Sequence, residues 1–153
     1  MSDPRKIDRA DMVQALWPTI GPHTAESIST AAAAISELWR YLAHATRNST
    51  GDALADPADV YGVVGSLMTG ARSAAQVFAQ LQEWSRGLSC EPGLTDDRDP
   101  IDDELPGDAA VAAAAWLAQA RADMQSLASD LHQASLQLSH LYIDSDDAWE
   151  GQR

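Results

Sequence analysis

Apolar residues recur at heptad spacing over one long stretch late in the chain, from Asp108 to about Tyr142. No proline or glycine interrupts it, so the stretch predicts one helix of about 50 Å at 1.5 Å per residue. An apolar stripe of this length requires partner helices to cover it. The stripe consists of two rows of residues, with Ala110, Leu117, Met124, Leu131 and Leu138 in the first and Ala113, Ala120, Leu127, Ala134 and Leu141 in the second.

Two earlier stretches carry heptads of their own and predict two more long helices. One spans about residues 22–47, after a Gly-Pro pair. The other begins with Asp56 as its cap and Pro57 at the first helical position, and it ends near Gly87. The rows of the earlier helix are Ile28, Ile35 and Leu42 with Ala31, Leu38 and Ala45, and those of the later one are Val64, Ala71 and Phe78 with Val60, Leu67, Ala74, Leu81 and Leu88.

The fold class that these patterns predict is all-α. No stretch alternates polar and apolar residues with the period of two that a strand requires. We expect an antiparallel, up-down-up bundle of the three long helices, with a short helix at about residues 8–17 as a fourth element. The bundle would form a single domain over residues 1–153, with mobile ends at about 1–7 and 144–153 and an acidic loop at 89–107.

Two details of the second long helix bear on its packing. In an antiparallel arrangement Trp84 lies level with Trp116 of the next helix, so we expect both rings in one aromatic cluster. The same helix contains Gly62, Gly65 and Gly70, each of which costs about 1 kcal/mol relative to alanine in a helix interior. These glycines indicate either weak local stability or the close approach of another backbone.

Composition limits the partners. Lys and Arg number 10 against 23 Asp and Glu, a formal net charge of -13, which disfavours direct binding to nucleic acid or to an anionic membrane surface. The single cysteine, Cys90, cannot form an internal disulfide. No apolar run follows the charges near the N-terminus, and no segment approaches the ~20 apolar residues of a membrane span. We therefore predict a cytoplasmic protein, and the excess of Arg over Lys with abundant Ala is typical of a high-GC bacterium.

The chain lacks the motifs of common chemistries. Helical bundles hold di-metal sites through Glu-x-x-His pairs, and no glutamate here is followed three residues later by histidine. His132 and His140 lie eight residues apart, about 12 Å along a helix, which is too far to chelate one ion. The acids of the 89–107 loop lack the order of a calcium-binding loop and indicate a solvated linker. The sequence predicts no catalytic, cofactor-binding or metal-binding residue, no cofactor, and no enzyme.

Part of the C-terminal region resembles the WXG100 family of small, acidic, helical proteins exported by type VII secretion systems. Tyr142 and Asp146 have the spacing of the Tyr-x-x-x-Asp/Glu mark that follows the second helix in that family. The Trp-x-Gly letters of the family occur here at Trp149-Glu150-Gly151, in the tail, whereas the family carries them between its two helices. The resemblance covers these few residues, and it would imply a secreted helical protein.

Four hypotheses of function follow. The leading one is a non-enzymatic helical module that binds another protein or itself through apolar helix faces. An acidic decoy of a basic, nucleic-acid-binding protein and a type VII secretion-associated protein are alternatives. The last is a small-ligand-binding bundle whose pocket is lined by Trp39, Trp84 or Trp116, and an open cavity with His44 or Arg72 directed into it would support that hypothesis.

Overall fold

The computed structural model of the chain describes residues 8–47, 54–97 and 105–143. These residues form helices without any strand, which confirms the all-α prediction. The chain divides into two compact units, Met1–Ala53 and Leu54–Arg153. The predicted mobile ends and residues 98–104 of the acidic loop lie outside the described residues, and the single domain stays a prediction. The helices are α1 (Arg9–Leu16) and α2 (Ala25–Arg47) in the first unit, and α3 (Pro57–Leu88) and α4 (Pro106–Leu138) in the second.

Side chains at the helix starts explain where α1, α2 and α3 begin. The Asp8 carboxylate accepts the N–H of Ala10 at 2.9 Å, and Asp56 caps α3 in the same way, as predicted. The cap of α2 is Thr24: its Oγ1 accepts the N–H of Ser27 at 3.1 Å, and the Ser27 hydroxyl accepts the N–H of Thr24 at 3.0 Å. This reciprocal pair satisfies two backbone donors that the helix cannot pair internally, so α2 begins three residues later than its Gly-Pro signal suggests.

The predicted limits of α4 were wrong at both ends. The helix begins at Pro106, so Asp108 lies in its first turn and is not its cap. There the Asp108 carboxylate accepts the N–H of Leu105 at 3.1 Å, a position where a negative charge is favourable because it faces the positive end of the helix dipole. The helix ends at Leu138, four residues before Tyr142.

Helices α3 and α4 pack side by side and antiparallel. Near the end of α3, the buried Ser85 hydroxyl donates a hydrogen bond of 2.9 Å to the backbone oxygen of Ala110, near the start of α4. Farther along, Ala75 of α3 and Ala128 of α4 line a common groove. Because residue numbers fall along α3 as they rise along α4, the two helices form an antiparallel hairpin.

Small residues occupy most of the buried positions in the contact between α3 and α4, which we call the seam. Alanine and serine let two helix axes approach closely, and Gly107 at the start of α4 lies against Ser89, the residue that follows α3. A Cβ placed on Gly107 would lie 3.0 Å from the backbone oxygen of Ser89, so this position favours glycine. The buried residues of the seam are Ala71, Ala75, Gln82 and Ser85 of α3 and Ala110, Ala114, Ala128 and Ser135 of α4.

Of the two predicted apolar rows of α4, one lies against α3, and the other lies beside that contact, where its coverage by a third helix stays a prediction. The row that begins at Ala110 is buried or half-buried throughout. In the second row Ala113, Leu127 and Ala134 are exposed, and the row that faces α3 in its place contains Ala114, Ala128 and Ser135. Both rows contain alanine, so hydrophobicity alone does not separate them.

The predicted tryptophan cluster is also wrong. Trp84 is 66% exposed and Trp116 is 76% exposed, so neither ring is packed in the seam. The seam has no room for an indole, because its buried positions hold mainly alanine and serine.

The glycines of α3 do not mark a close approach of the described residues. A Cβ added at Gly62, Gly65 or Gly70 would meet no atom of the described chain within 4 Å. The helix also continues unbroken through all three positions. The structure therefore favours the interpretation that these glycines lower helix stability without serving a contact within the chain.

Candidate functional site

The seam divides the rest of the hairpin surface into two flanks with different chemistry. Each helix contributes two rows of residues to the seam. The residues one position before one of these rows lie on one side of the helix, and the residues one position after the other row lie on the opposite side. Arg72 follows Ala71, and Gln125 follows Met124; both line one groove, so these two sides meet on one flank. The remaining sides of α3 and α4 consequently share the opposite flank.

We call this opposite flank the apolar flank, because all the residues that we assign to it are apolar. On α3 its residues are half-buried apart from Leu81, which is exposed, and on α4 Leu127 is exposed as well. These are the second rows of both sequence heptads, so the periodicity identified an apolar surface that lies beside the contact between α3 and α4. The apolar flank consists of Val60, Leu67, Ala74, Leu81 and Leu88 of α3 and Ala113, Ala120, Leu127 and Ala134 of α4.

Helix α2 presents a second apolar surface. No residue of α2 is fully buried. Along its heptad stripe, Ile35 is 57% exposed and Leu38 is 53% exposed. The stripe therefore offers large apolar side chains at the spacing that suits the groove between two other helices.

The opposite flank of the hairpin holds an open groove of about 400 Å³. Its floor consists of the methyl groups of two seam alanines, and four polar side chains surround that floor. We call this site the polar groove. It is lined by Arg72 and Ala75 of α3 and by Gln125, Ala128, Ser129 and His132 of α4.

The polar side chains of this groove have no partners in the described part of the chain. Arg72 forms neither a hydrogen bond nor an ion pair there, and the same holds for Gln125, Ser129 and His132. By contrast, Arg40 and Arg86 each form an ion pair with a glutamate three residues earlier, at 2.9 and 2.7 Å. Arg72 is therefore available to an external acceptor.

Few acidic residues lie on α3 and α4, although the protein is strongly acidic. The two helices carry five acids and three arginines, a formal charge of -2 out of the -13 of the whole chain. None of these acids belongs to the apolar flank or lines the polar groove. The acids are Asp59, Glu83, Asp108, Asp123 and Asp130, and the arginines are Arg72, Arg86 and Arg121.

Sequence reasoning named Arg72 as a residue to watch but did not place it in a site. It read His132 as a histidine outside the heptad rows, and it expected tryptophans to line any pocket, whereas none lines the polar groove. A usable signal existed: the positions three and four residues from Arg72 are Met68, Thr69, Ala75 and Gln76, so no carboxylate on its own helix can pair with it.

Two further observations concern chemistry and membranes. Among the described residues, no three His, Cys, Asp or Glu side chains lie close enough together to hold a metal ion. None of the helices described here is long and apolar enough to cross a membrane.

Comparison of the chain with protein-family models, curated proteins and solved structures finds no match.

Proposed function

We propose that this protein is a non-enzymatic helical module for protein–protein interaction. The observation that supports it is the apolar flank, a row of apolar residues on both helices of the hairpin that the seam leaves uncovered. Soluble proteins seldom leave such a surface without a partner, because covering it removes apolar area from water.

The proposal includes the up-down-up bundle, with the stripe of α2 against the apolar flank. The stripe and the flank are alike in polarity and heptad spacing, which favours this pairing. The 23 residues of α2 span about 35 Å and the 33 residues of α4 about 50 Å. One copy of α2 therefore covers about two thirds of the flank and leaves the rest for another partner.

We further propose that a second copy of the chain covers the apolar residues at and just after the C-terminal end of α4. Leu136, Leu141, Tyr142 and Ile143 are all exposed there. The proposed assembly is thus a homo-oligomer formed through the ends of the hairpins.

Light scattering during size-exclusion chromatography tests this assembly. We expect a mass of twice the 16.4 kDa chain at micromolar concentration, and a shift to monomer for Leu141→Glu, because the new carboxylate must lose its hydration in the contact. Leu105→Glu is the matched control: this leucine is also largely exposed but lies at the other end of α4. A wild-type chain that stays monomeric at every concentration contradicts the homo-oligomer.

The decoy and type VII secretion hypotheses stay predictions. Tyr142 follows α4, as the WXG100 mark requires, while Asp146 and the Trp-x-Gly letters lie outside the described residues. For the decoy, the few acids of α3 and α4 do not form the dense carboxylate array that a mimic of nucleic acid needs.

A further inference from the structure

The polar groove combines one cation with several neutral donors and an apolar floor. The Arg72 guanidinium carries a fixed positive charge and a fork of N–H donors. The Gln125 amide and the Ser129 hydroxyl can each donate, and so can the His132 ring. None of them is engaged within the described part of the chain, and no carboxylate lines the groove.

We propose that the polar groove binds the carboxylate group of a monoanionic ligand with a short apolar body. The two oxygens of the carboxylate would pair with the Arg72 fork, since a guanidinium and a carboxylate match in planar, two-bond geometry. Donors from Gln125, Ser129 and His132 on α4 would complete the shell around the oxygens. The apolar body would rest on the methyl groups of Ala75 and Ala128.

The charge of the site selects a monoanion over a phosphate. Arg72 supplies one formal positive charge, which a carboxylate neutralises. A phosphate monoester carries about -1.5 to -2 at neutral pH, so part of its charge would remain uncompensated in a protein whose net charge is -13. The groove therefore discriminates by charge as well as by shape.

The volume and openness of the groove set the expected affinity. About 400 Å³ lies in the lower range of ligand sites. Because the groove is open, the ligand keeps part of its surface in water, and we expect a Kd on the order of 1 mM for a small acid. A carboxylate presented on a helix or peptide of a partner protein would add contacts and bind more tightly. A free acid and an acidic side chain of a partner protein thus both supply the carboxylate group that the groove recognises.

The test is an NMR titration of the full chain with sodium isobutyrate at constant ionic strength. We expect saturable shifts of the Arg72 side-chain N–H and of the His132 ring signals. Isobutyramide, which has the same shape without the charge, should give none, and inorganic phosphate should bind more weakly than isobutyrate. Absence of saturable shifts at tens of millimolar isobutyrate overturns the proposal, as does equal binding of the amide or tighter binding of phosphate.

Variants locate the effect in the groove. Arg72→Ala should weaken isobutyrate binding at least ~10-fold because the only charge of the site is lost, and Arg72→Lys should weaken it less because the charge remains without the fork. Arg40→Ala removes the same charge from α2 and should leave binding unchanged. Equal binding by the wild type and both Arg72 variants contradicts the assignment, and circular dichroism confirms that each variant is folded.

A peptide arm identifies the source of the carboxylate. A blocked, alanine-rich peptide with one central glutamate is compared with the same peptide carrying glutamine. Binding of the glutamate peptide at least ~10-fold tighter than isobutyrate assigns the ligand to an acidic side chain of a protein; weaker binding assigns it to a free acid. Equal binding of the glutamine peptide contradicts carboxylate recognition. The apolar flank plays no part in these measurements, so either proposal can fail without the other.

Discussion

Helix α2 and the α3–α4 hairpin use apolar side chains in contrasting ways. The α2 stripe is built from large residues, including Ile35 and Leu38, and no residue of α2 is fully buried. The most buried positions of the hairpin seam hold mainly alanine and serine, and the larger residues beside them, such as Met124 and Leu131, are half-buried. The difference indicates that a contact between two helices depends on how closely the backbones approach. Large side chains at heptad spacing instead mark a surface that a further helix can cover.

The largest expected effect comes from placing charge on the α2 stripe. If the stripe lies on the apolar flank as proposed, Ile35→Glu with Leu38→Glu should lower the free energy of unfolding by about 2–4 kcal/mol, since two large side chains lose their burial. Urea denaturation measures the change. Ala33→Glu with Ser36→Glu adds the same charge on the exposed, opposite side of α2 and should change stability by less than about 1 kcal/mol. Equal effects of the two double variants would show that the stripe is uncovered.

Enlarging the seam should have the next largest effect. Ala114 is 3% exposed, so Ala114→Leu forces α3 and α4 apart and should destabilise the hairpin by about 1–3 kcal/mol. Its neighbour Ala115 is exposed, and Ala115→Leu should stay within about 0.5 kcal/mol of wild type. Thermal and urea unfolding of both variants measure the difference. A tolerated leucine at position 114 would mean that small size is not what holds the seam together.

The polar residues of the seam should contribute less. Ser85→Ala removes the hydrogen bond to the Ala110 oxygen and should cost about 1 kcal/mol of unfolding free energy. Ser73→Ala is the matched control, because the Ser73 hydroxyl bonds only within its own helix and is exposed. A shift in the urea midpoint at position 73 as large as at position 85 would refute a special role for the buried bond.

The smallest effect should have the opposite sign. Gly65→Ala meets no described atom within 4 Å and should stabilise α3 by about 0.5–1 kcal/mol through helix propensity. Gly107→Ala should not show this gain, because its Cβ lies 3.0 Å from the Ser89 oxygen. The two melting temperatures, measured side by side, separate propensity from packing. Loss of stability or of association in the Gly65 variant would instead support a backbone contact supplied by another chain.

The polar groove shows how far a candidate site can be predicted from sequence. That Arg72 lacks a carboxylate partner on its own helix could be read from the residues three and four positions away. Its meeting with His132 could not, because the two lie 60 positions apart in the sequence and come together only in the register of the hairpin. A shift of one turn between α3 and α4 would bring Arg72 opposite different residues.

The burial of polar residues was equally beyond the sequence. Gln82 and Ser85 break the apolar pattern of α3, yet both are buried. The Gln82 amide, oriented to satisfy its hydrogen bonds, accepts from the Arg86 guanidinium at 2.6 Å. Ser85 is satisfied by a carbonyl of the other helix. Local patterns treat both as surface residues because their partners are not part of the pattern.

The sequence by itself determined the helical class and the starts of α1 and α3, because heptad spacing and the Asp8 and Asp56 caps act within a few residues of chain. It also determined that α3 and α4 each carry two apolar rows. Only the tertiary structure decided which row became the seam and which became the apolar flank. The physical reason is that alanine occurs in both rows and makes them similarly hydrophobic, so the choice depends on how the two helices pack against each other, which no local pattern contains.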